Sequence, residues 1–424
     1  MNILPPALPL KGKINLPASK SISNRLLIMQ YLSNSRIRIN NLSKADDTVL
    51  MRHLLKKVKA NIDTGNSENV CLLNCENAGT VLRFLLALLS SQSGKWLLTG
   101  SERMKQRPVG SLVRALKTLG ANIEYDDLQG FPPVKISGKN LTGNSVTIDA
   151  SQSSQYITAL MMIAPILEKG LTIRLENEIA SQPYIEMTKT LMIKAGIDIK
   201  TEGRNILISR GSYKSGVYYV EPDWSAASYW YEAVALTPGS EIMLDDLSGD
   251  SVQGDAILIN IFNALGVKTR QTDNGIVIQN INKAVQDFEF DFTNYPDLAP
   301  AVAATCTALN IEARLNGLKN LKIKESNRFE ALHKELSFLN PGIDIINDEY
   351  LFIPKQKTPV KTKRLHFRTY HDHRMAMAFA PLASVIGEIS IEDPKVVSKS
   401  YPGFWEEFQR SGFKVRDKFQ ATPS

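Results

Sequence analysis

"SLVRALKTLGANIEY" (residues 111–125) decides the fold. Leu112, Val113, Leu116 and Leu119 recur at the spacing of one helix face, and Ile123 and Tyr125 then alternate with polar neighbours as on a half-buried strand. Gly120 separates the two periods, and glycine there supplies the positive-φ end that a helix needs before a turn. The same order recurs in "YIEMTKTLMIKAGIDIK" (184–200), "AILINIFNALGVKTR" (256–270) and "FWEEFQRSGFKVRD" (404–417). Looser versions are "VLMRHLLKKVKANIDT" (49–64) and "FEALHKELSFLNPGIDII" (329–346), where a small residue or a Pro-Gly pair replaces the single glycine. Six copies at intervals of roughly 60–75 residues predict six related α/β units.

A second set of helices falls between these copies: "SISNRLLIMQYL" (21–32), "NAGTVLRFLLALLS" (77–90), "SSQYITALMMIAPIL" (153–167), "SAASYWYEAVAL" (225–236), "DLAPAVAATCTAL" (297–309) and "HRMAMAFAPLASV" (373–385). They are apolar nearly all round, which predicts burial, and each opens on a residue suited to a capped N-terminus. The result is an α/β fold of two three-unit halves. Buried helices whose N-termini point one way would aim several partial positive charges at a common opening.

At 424 residues the chain exceeds one typical core, which agrees with two domains. Its apolar stretches fall short of the ~20 residues that span a bilayer, and "ILPPALPL" lacks the basic segment of a signal peptide, so a cytoplasmic protein is expected. Cys71 and Cys75 form half of a zinc pattern that no second Cys/His pair completes, so the three cysteines read as structural thiols. A net charge of +7 calls for an acidic partner, either nucleic acid or a small polyanion. Apart from "KTKR" (361–364) the basic residues are dispersed, so local clusters must decide.

Six such clusters stand out. Lys20, Ser21 and Arg25 sit at a helix start, with Ser21 and Arg25 on one face, as in a capped surface helix or an anion site. Arg83, inside an apolar helix, demands an acidic partner or an anionic ligand, and Gly79 lets a phosphate or carboxylate approach the backbone. In "SERMKQRP", alternation would put Arg103, Lys105 and Arg107 on one side of an extended strand. Glu325, among Lys322, Lys324 and Arg328 with Asn320 close by, is either a network residue or a proton donor and acceptor in a cationic pocket. His371 and His373 could suggest a metal, but Arg374 beside them disfavours a cation, and Asp372 suits the cap of an anion-binding helix start. Asp297 reads as a helix-start aspartate, either a plain cap or a base. Together the clusters fit a cleft for two polyanionic small molecules, with Asp297 and Glu325 doing acid/base work.

On these residues the sequence resembles the 5-enolpyruvylshikimate-3-phosphate synthases. The stretches "PASKSISNR", "NAGT..LR", "RMKQRPVG", "SSQYITAL", "SQPYI", "YPDLAP", "KIKESNR", "DHRMAM" and "DPKVVSKSYPGFWEEF" occur in the family's order across nearly the whole chain. The resemblance implies two similar domains of three βαβαββ units, joined by two crossovers, with residues 19–221 forming one and residues 1–18 plus 222–424 the other. It implies that shikimate-3-phosphate is held by Lys20, Ser21, Arg25, Ser153, Ser154, Gln155, Ser181, Tyr184, Asp297, Asn320 and Lys324. Phosphoenolpyruvate would be held by Lys20, Gly79, Arg107, Gln155, Arg328, Arg374 and Lys399. Asp297 and Glu325 would move protons, and Lys20 and Lys399 would stabilise charge, in an enolpyruvyl transfer that uses no metal and no organic cofactor. A monomer acting on small anions is implied, with no nucleic-acid or membrane partner.

Three departures mark this chain: Phe84 where bacterial members often carry proline, His371 where asparagine is common, and "EPDWSAASYW" where a segment is usually richer in glycine and serine. The UDP-N-acetylglucosamine enolpyruvyl transferases share the implied fold and chemistry, but typically carry a reactive cysteine shortly before the arginine matched by Arg107. "SERMKQR" has none. A basic nucleic-acid-binding protein is the remaining alternative, and it predicts steep salt-dependent binding to oligonucleotides.

Overall fold

A computed structural model describes residues 1–34, 36–65, 69–357 and 365–416; "KTKR" (361–364) and Asp417 lie outside them. The chain divides into two compact units, Ser19–Val220 and Met1–Ala18 with Glu221–Ser424. Each is built on three mutually packed helices that are buried along most of their length. In the Ser19–Val220 unit these are α1 (Lys20–Leu32), α2 (Gly79–Ser90) and α3 (Ser154–Ile163). In the other they are α4 (Trp224–Leu236), α5 (Ala299–Ala308) and α6 (His373–Phe379). All six match the apolar segments of the sequence. Between Val81 and Leu89 every side chain is buried, and each large apolar one contributes roughly 1.5–3 kcal/mol by leaving water.

Small sheets complete each unit. In one, Val70–Asn74 pairs parallel with Gly94–Thr99, which pairs antiparallel with Val134–Gly138, and Asn122–Tyr125 closes the edge. Cys71, Leu73, Trp96, Leu98 and Ile136 turn to the buried face, as the period of two requires. Among the described residues, five of the six sheets have this four-stranded order. The N-terminus completes two of them: Asn2–Leu4 lies between Ile389–Ile391 and Lys414–Arg416, and Lys11–Ile14 runs parallel to Glu241–Asp245.

The glycine punctuation is physical. Gly120, Gly196, Gly266 and Gly412, one in each clear copy of the repeat, all have positive φ. After helix Gly110–Thr118, the Gly120 amide donates to the Lys117 carbonyl (2.9 Å) and that of Ala121 to Leu116 (3.0 Å). Helix Gln182–Lys194 ends in the same way, with Gly196 donating to Ile193 (2.8 Å) and Ile197 to Met192 (3.0 Å). These paired bonds satisfy carbonyls that the helix end would leave open.

One copy departs from the expected pattern. In "VLMRHLLKKVKANIDT" the helix runs through Ala60 to Asp63, so "NIDT" is not a strand. Alanine is the best helix former, and without a glycine nothing stops the helix there. The sheet of this copy has two described strands, Ile37–Asn40 and Gly216–Tyr219. No described helix is long and apolar enough to cross a membrane.

Gly120→Ala tests the punctuation. Its Cβ would find room, the nearest atom being Thr142 Oγ1 at 3.6 Å, so the cost should be backbone strain alone. We expect a loss of about 1–2 kcal/mol, read as a lower urea midpoint at unchanged m-value.

Candidate active site

In the Ser19–Val220 unit the predicted residues gather at the N-terminal turns of α1, α2 and α3. Ser19 caps α1, which begins at Lys20, and Lys20 Nζ pairs with the buried Asp47 at 3.0 Å. Asp47 carries no distinguishing signal in the sequence, because acidic residues are common in the first turn of a helix. Arg25 is buried and donates from Nε to Thr188 Oγ1 (2.6 Å), from one terminal nitrogen to the Ser21 carbonyl (2.8 Å) and from the other to the Tyr184 carbonyl (3.2 Å). Burial, opposed only by Tyr184, brings its pKa down to about 10, so it remains a cation at neutral pH.

The protein partners of Arg83 are neutral groups, so the expected internal ion pair does not form among the described residues. Arg83 donates to Gln155 Oε1 (2.6 Å) and to the Pro108 carbonyl (3.4 Å), and lies over the Tyr156 ring at 5.4 Å. Gln155 also donates to Thr80 Oγ1 (3.1 Å), which ties the first turn of α3 to that of α2. No carboxylate among the described residues forms an ion pair with Arg25 or Arg83. Ser153 caps α3 by accepting from the Gln155 amide (3.3 Å), and Ser154 is buried behind it. Ser181, before helix Gln182–Lys194, adopts the left-handed conformation (φ 57°, ψ 42°), and its carbonyl accepts from the Tyr184 amide. Such strain at a non-glycine residue needs support from its surroundings and concentrates at functional sites.

The expected row of three cations on "SERMKQRP" does not form. Glu102–Lys105 is a short helix, capped by Ser101, which accepts from the Met104 amide (3.3 Å). Lys105 turns to Glu102 and Arg103 to Gln106, and Arg107 alone of the three is buried. Its guanidinium lies against Gly79, where a Cβ would stand 2.6 Å from it. The glycine therefore serves this arginine's approach.

In the other unit the cluster centres on Arg328, at the start of helix Arg328–Leu336. It meets three carboxylates: Asp297 (3.1 Å), Glu325 (2.6 Å) and Asp372 (2.7 Å). Burial would favour the neutral guanidine, but Asp372, Glu325 and Asp297 together raise its pKa above the ordinary arginine value. Arg374 binds the second oxygen of Asp297 (2.6 Å) and donates to the Tyr229 hydroxyl (3.4 Å). Asp297 is thus no helix cap, because Leu298 holds that place before α5. Burial would raise its pKa, yet Arg374, Lys324 and Arg328 outweigh burial and hold the carboxyl well below the usual range. Asp372 is the cap foreseen for α6, accepting from the Arg374 amide (3.0 Å), and it also accepts from Ser326 Oγ and from Arg328. This second task had no sequence signal. Asn320 lies in the turn Lys319–Ile323, which leads to Lys324 and Glu325, while Lys322 turns away to Asp348. Lys399 ends the turn Pro394–Lys399, which packs on α6. The two histidines part: His371 is exposed and pairs with Asp393 (3.2 Å), and His373 is buried at the start of α6.

These residues define a class of enzyme: two α/β units that collect cations at buried helix starts, with carboxyl groups set against arginines in one of them. Comparison with known proteins gives the particular family. Residues 5–408 match the family model described as EPSP synthase (3-phosphoshikimate 1-carboxyvinyltransferase). Proteins named 3-phosphoshikimate 1-carboxyvinyltransferase are similar along their length, one from Bacteroides fragilis at 44% identity (96% of this chain, 97% of that one) and one from Colwellia psychrerythraea at 35% (94% and 96%). A solved EPSP synthase from Acinetobacter baumannii shares the fold with a TM-score of 0.73 at 21% identity, over 98% of this chain and 99% of that one. The chain belongs to the EPSP synthase family.

The lowered pKa of Asp297 carries a stability signature. Its folded value lies below the unfolded value near 4, so its contribution is present above that pH and is lost as pH falls toward the folded value. Asp297→Asn should be about 3–5 kcal/mol less stable at pH 7, because two buried arginines lose a counter-charge. Urea unfolding between pH 7 and pH 2 should show the two stabilities converging below pH 4.

Proposed function

We infer that the chain transfers the enolpyruvyl group of phosphoenolpyruvate to the 5-hydroxyl of shikimate-3-phosphate, releasing phosphate in the shikimate route to aromatic amino acids. The observation that carries this reading is the contrast between the units. Arg25 and Arg83 are buried without a carboxylate, whereas Arg328 and Arg374 are bound to Asp297. Uncompensated cations suit anionic groups, and an ionised carboxylate suits a hydroxyl proton.

Unit Ser19–Val220 then supplies most contacts to shikimate-3-phosphate: Lys20, Ser21, Arg25, Ser153, Ser154, Gln155, Ser181 and Tyr184. The other unit adds Asp297, Asn320 and Lys324. Phosphoenolpyruvate is met by Lys20, Gly79, Arg107 and Gln155 from the first, and by Arg328, Arg374 and Lys399 from the second. Asp297 accepts the 5-hydroxyl proton as that oxygen attacks C2 of phosphoenolpyruvate, and Glu325 delivers a proton to C3. The tetrahedral adduct then expels phosphate as C3 returns a proton to Glu325, Lys20 and Lys399 stabilise the departing charge, and the proton held by Asp297 passes to the phosphate, which restores the base. The arginines that suppress the basicity of Asp297 are those assigned to phosphoenolpyruvate. An anion that engages them weakens their hold and makes Asp297 a better base when both substrates are present. We further propose that the enzyme works as a cytoplasmic monomer on small anions, without nucleic acid or membrane as a partner.

The test is phosphate release from the two substrates without added metal or cofactor, and turnover with UDP-N-acetylglucosamine instead would overturn the reading. Asp297→Asn should lower kcat by about 10²–10⁴-fold while shikimate-3-phosphate still binds. Glu325→Gln should lose turnover by a different step, visible as slower deuterium entry from solvent into the methylene of recovered phosphoenolpyruvate. Exchange as fast as in wild type would leave Glu325 only its contact with Arg328.

Gly79→Ala places a methyl against the Arg107 guanidinium, which is the mobile end of a side chain and must shift. KM for phosphoenolpyruvate should rise by about tenfold or more, the scale of one misplaced charge-assisted contact. KM for shikimate-3-phosphate should move much less.

A further inference from the structure

Arg25 presents a problem that its hydrogen bonds do not solve. The guanidinium is buried, its protein partners are one hydroxyl and two carbonyls, and no carboxylate among the described residues pairs with it. What lies against it is a ring: the guanidinium carbon stands 5.6 Å from the centroid of Phe84, itself fully buried on α2. The negative face of an aromatic ring attracts a cation, and the attraction grows where water is excluded. Unlike a carboxylate, the ring leaves the full positive charge in place. The residue before Phe84 on α2 shows a related arrangement, since the Arg83 guanidinium lies over the Tyr156 ring.

We propose that Phe84 is a positioning residue that sets affinity for the phosphorylated substrate: its ring steadies the Arg25 guanidinium against α2 and keeps its charge available for an anion. This rests on the reading of Arg25 as a shikimate-3-phosphate ligand. A residue that merely filled space would act through its volume, whereas this one acts through the electrons of its ring. The two are separable, because fluorination drains the ring face with little change of shape.

The experiment introduces phenylalanine, 4-fluoro-, 3,5-difluoro- and 3,4,5-trifluorophenylalanine at position 84 of the full chain and measures shikimate-3-phosphate binding by calorimetry. Melting temperature serves as the control for packing. We expect Kd to rise stepwise with fluorine number, reaching about tenfold at three fluorines. Phe84→Leu should match the end of the series, with KM for shikimate-3-phosphate raised and kcat and KM for phosphoenolpyruvate within twofold. A flat series, with wild type binding shikimate-3-phosphate and Arg25→Lys losing it, would overturn the role of Phe84 and leave the substrate assignment standing. Failure of the wild type to bind shikimate-3-phosphate would overturn both.

Discussion

A guanidinium removed from water must be compensated, and the manner of compensation divides this molecule. Arg328 is surrounded by Asp297, Glu325 and Asp372, so its charge is shared among three carboxyl groups of the protein. Arg25 and Arg83 are met by carbonyls, a hydroxyl, an amide and two rings, which solvate them without cancelling their charge. The buried helices make both solutions affordable. Their N-terminal turns bring unpaired amides and partial positive charge to the same places, which lets Asp372 act as cap and counter-ion at once.

Much of this is legible in the sequence. A helix, a glycine and a strand in fixed order are local facts of conformation, and the positive φ at Gly120, Gly196, Gly266 and Gly412 is the physical content of that pattern. The six apolar helices were equally plain, because a helix without a polar face has nowhere to go but inside. Where the reading failed, a local competitor won. Ala60 could not stop a helix that glycine stops elsewhere. In "SERMKQRP", the Ser101 cap with Glu102 behind it outweighed the alternation of charges and folded a helical turn.

The partners of charges were the illegible part, since they come from distant segments. Asp47 reaches Lys20 from the next helix, and Asp372 reaches Arg328 from the start of α6. Nothing in either local sequence announces the meeting. Arg83 invited a search for an acid, but the structure answers with Gln155 and Tyr156, neutral groups that no charge count would flag. The resemblance to a family named ligands, and it did not explain how a buried cation is kept available.

The carboxyls of the Met1–Ala18 and Glu221–Ser424 unit show how finely position decides chemistry. Burial pushes Glu232, Asp255 and Asp297 alike toward the neutral acid, and nearby cations and hydrogen bonds oppose it. Glu232, deep in α4 with both oxygens lacking a hydrogen-bond partner, has its pKa raised well above the usual range by burial. Asp255, bonded to Ser225, is raised to about 7 by burial and by the charge of Asp297, with Arg374 opposing. Asp297, against Arg374 and Arg328, is the one of the three held ionised. Burial being shared, the arginines make the difference. The cations that two other segments bring to Asp297 set it apart from its buried neighbours, and under the proposed function an anionic substrate that loosened them would make it a stronger base.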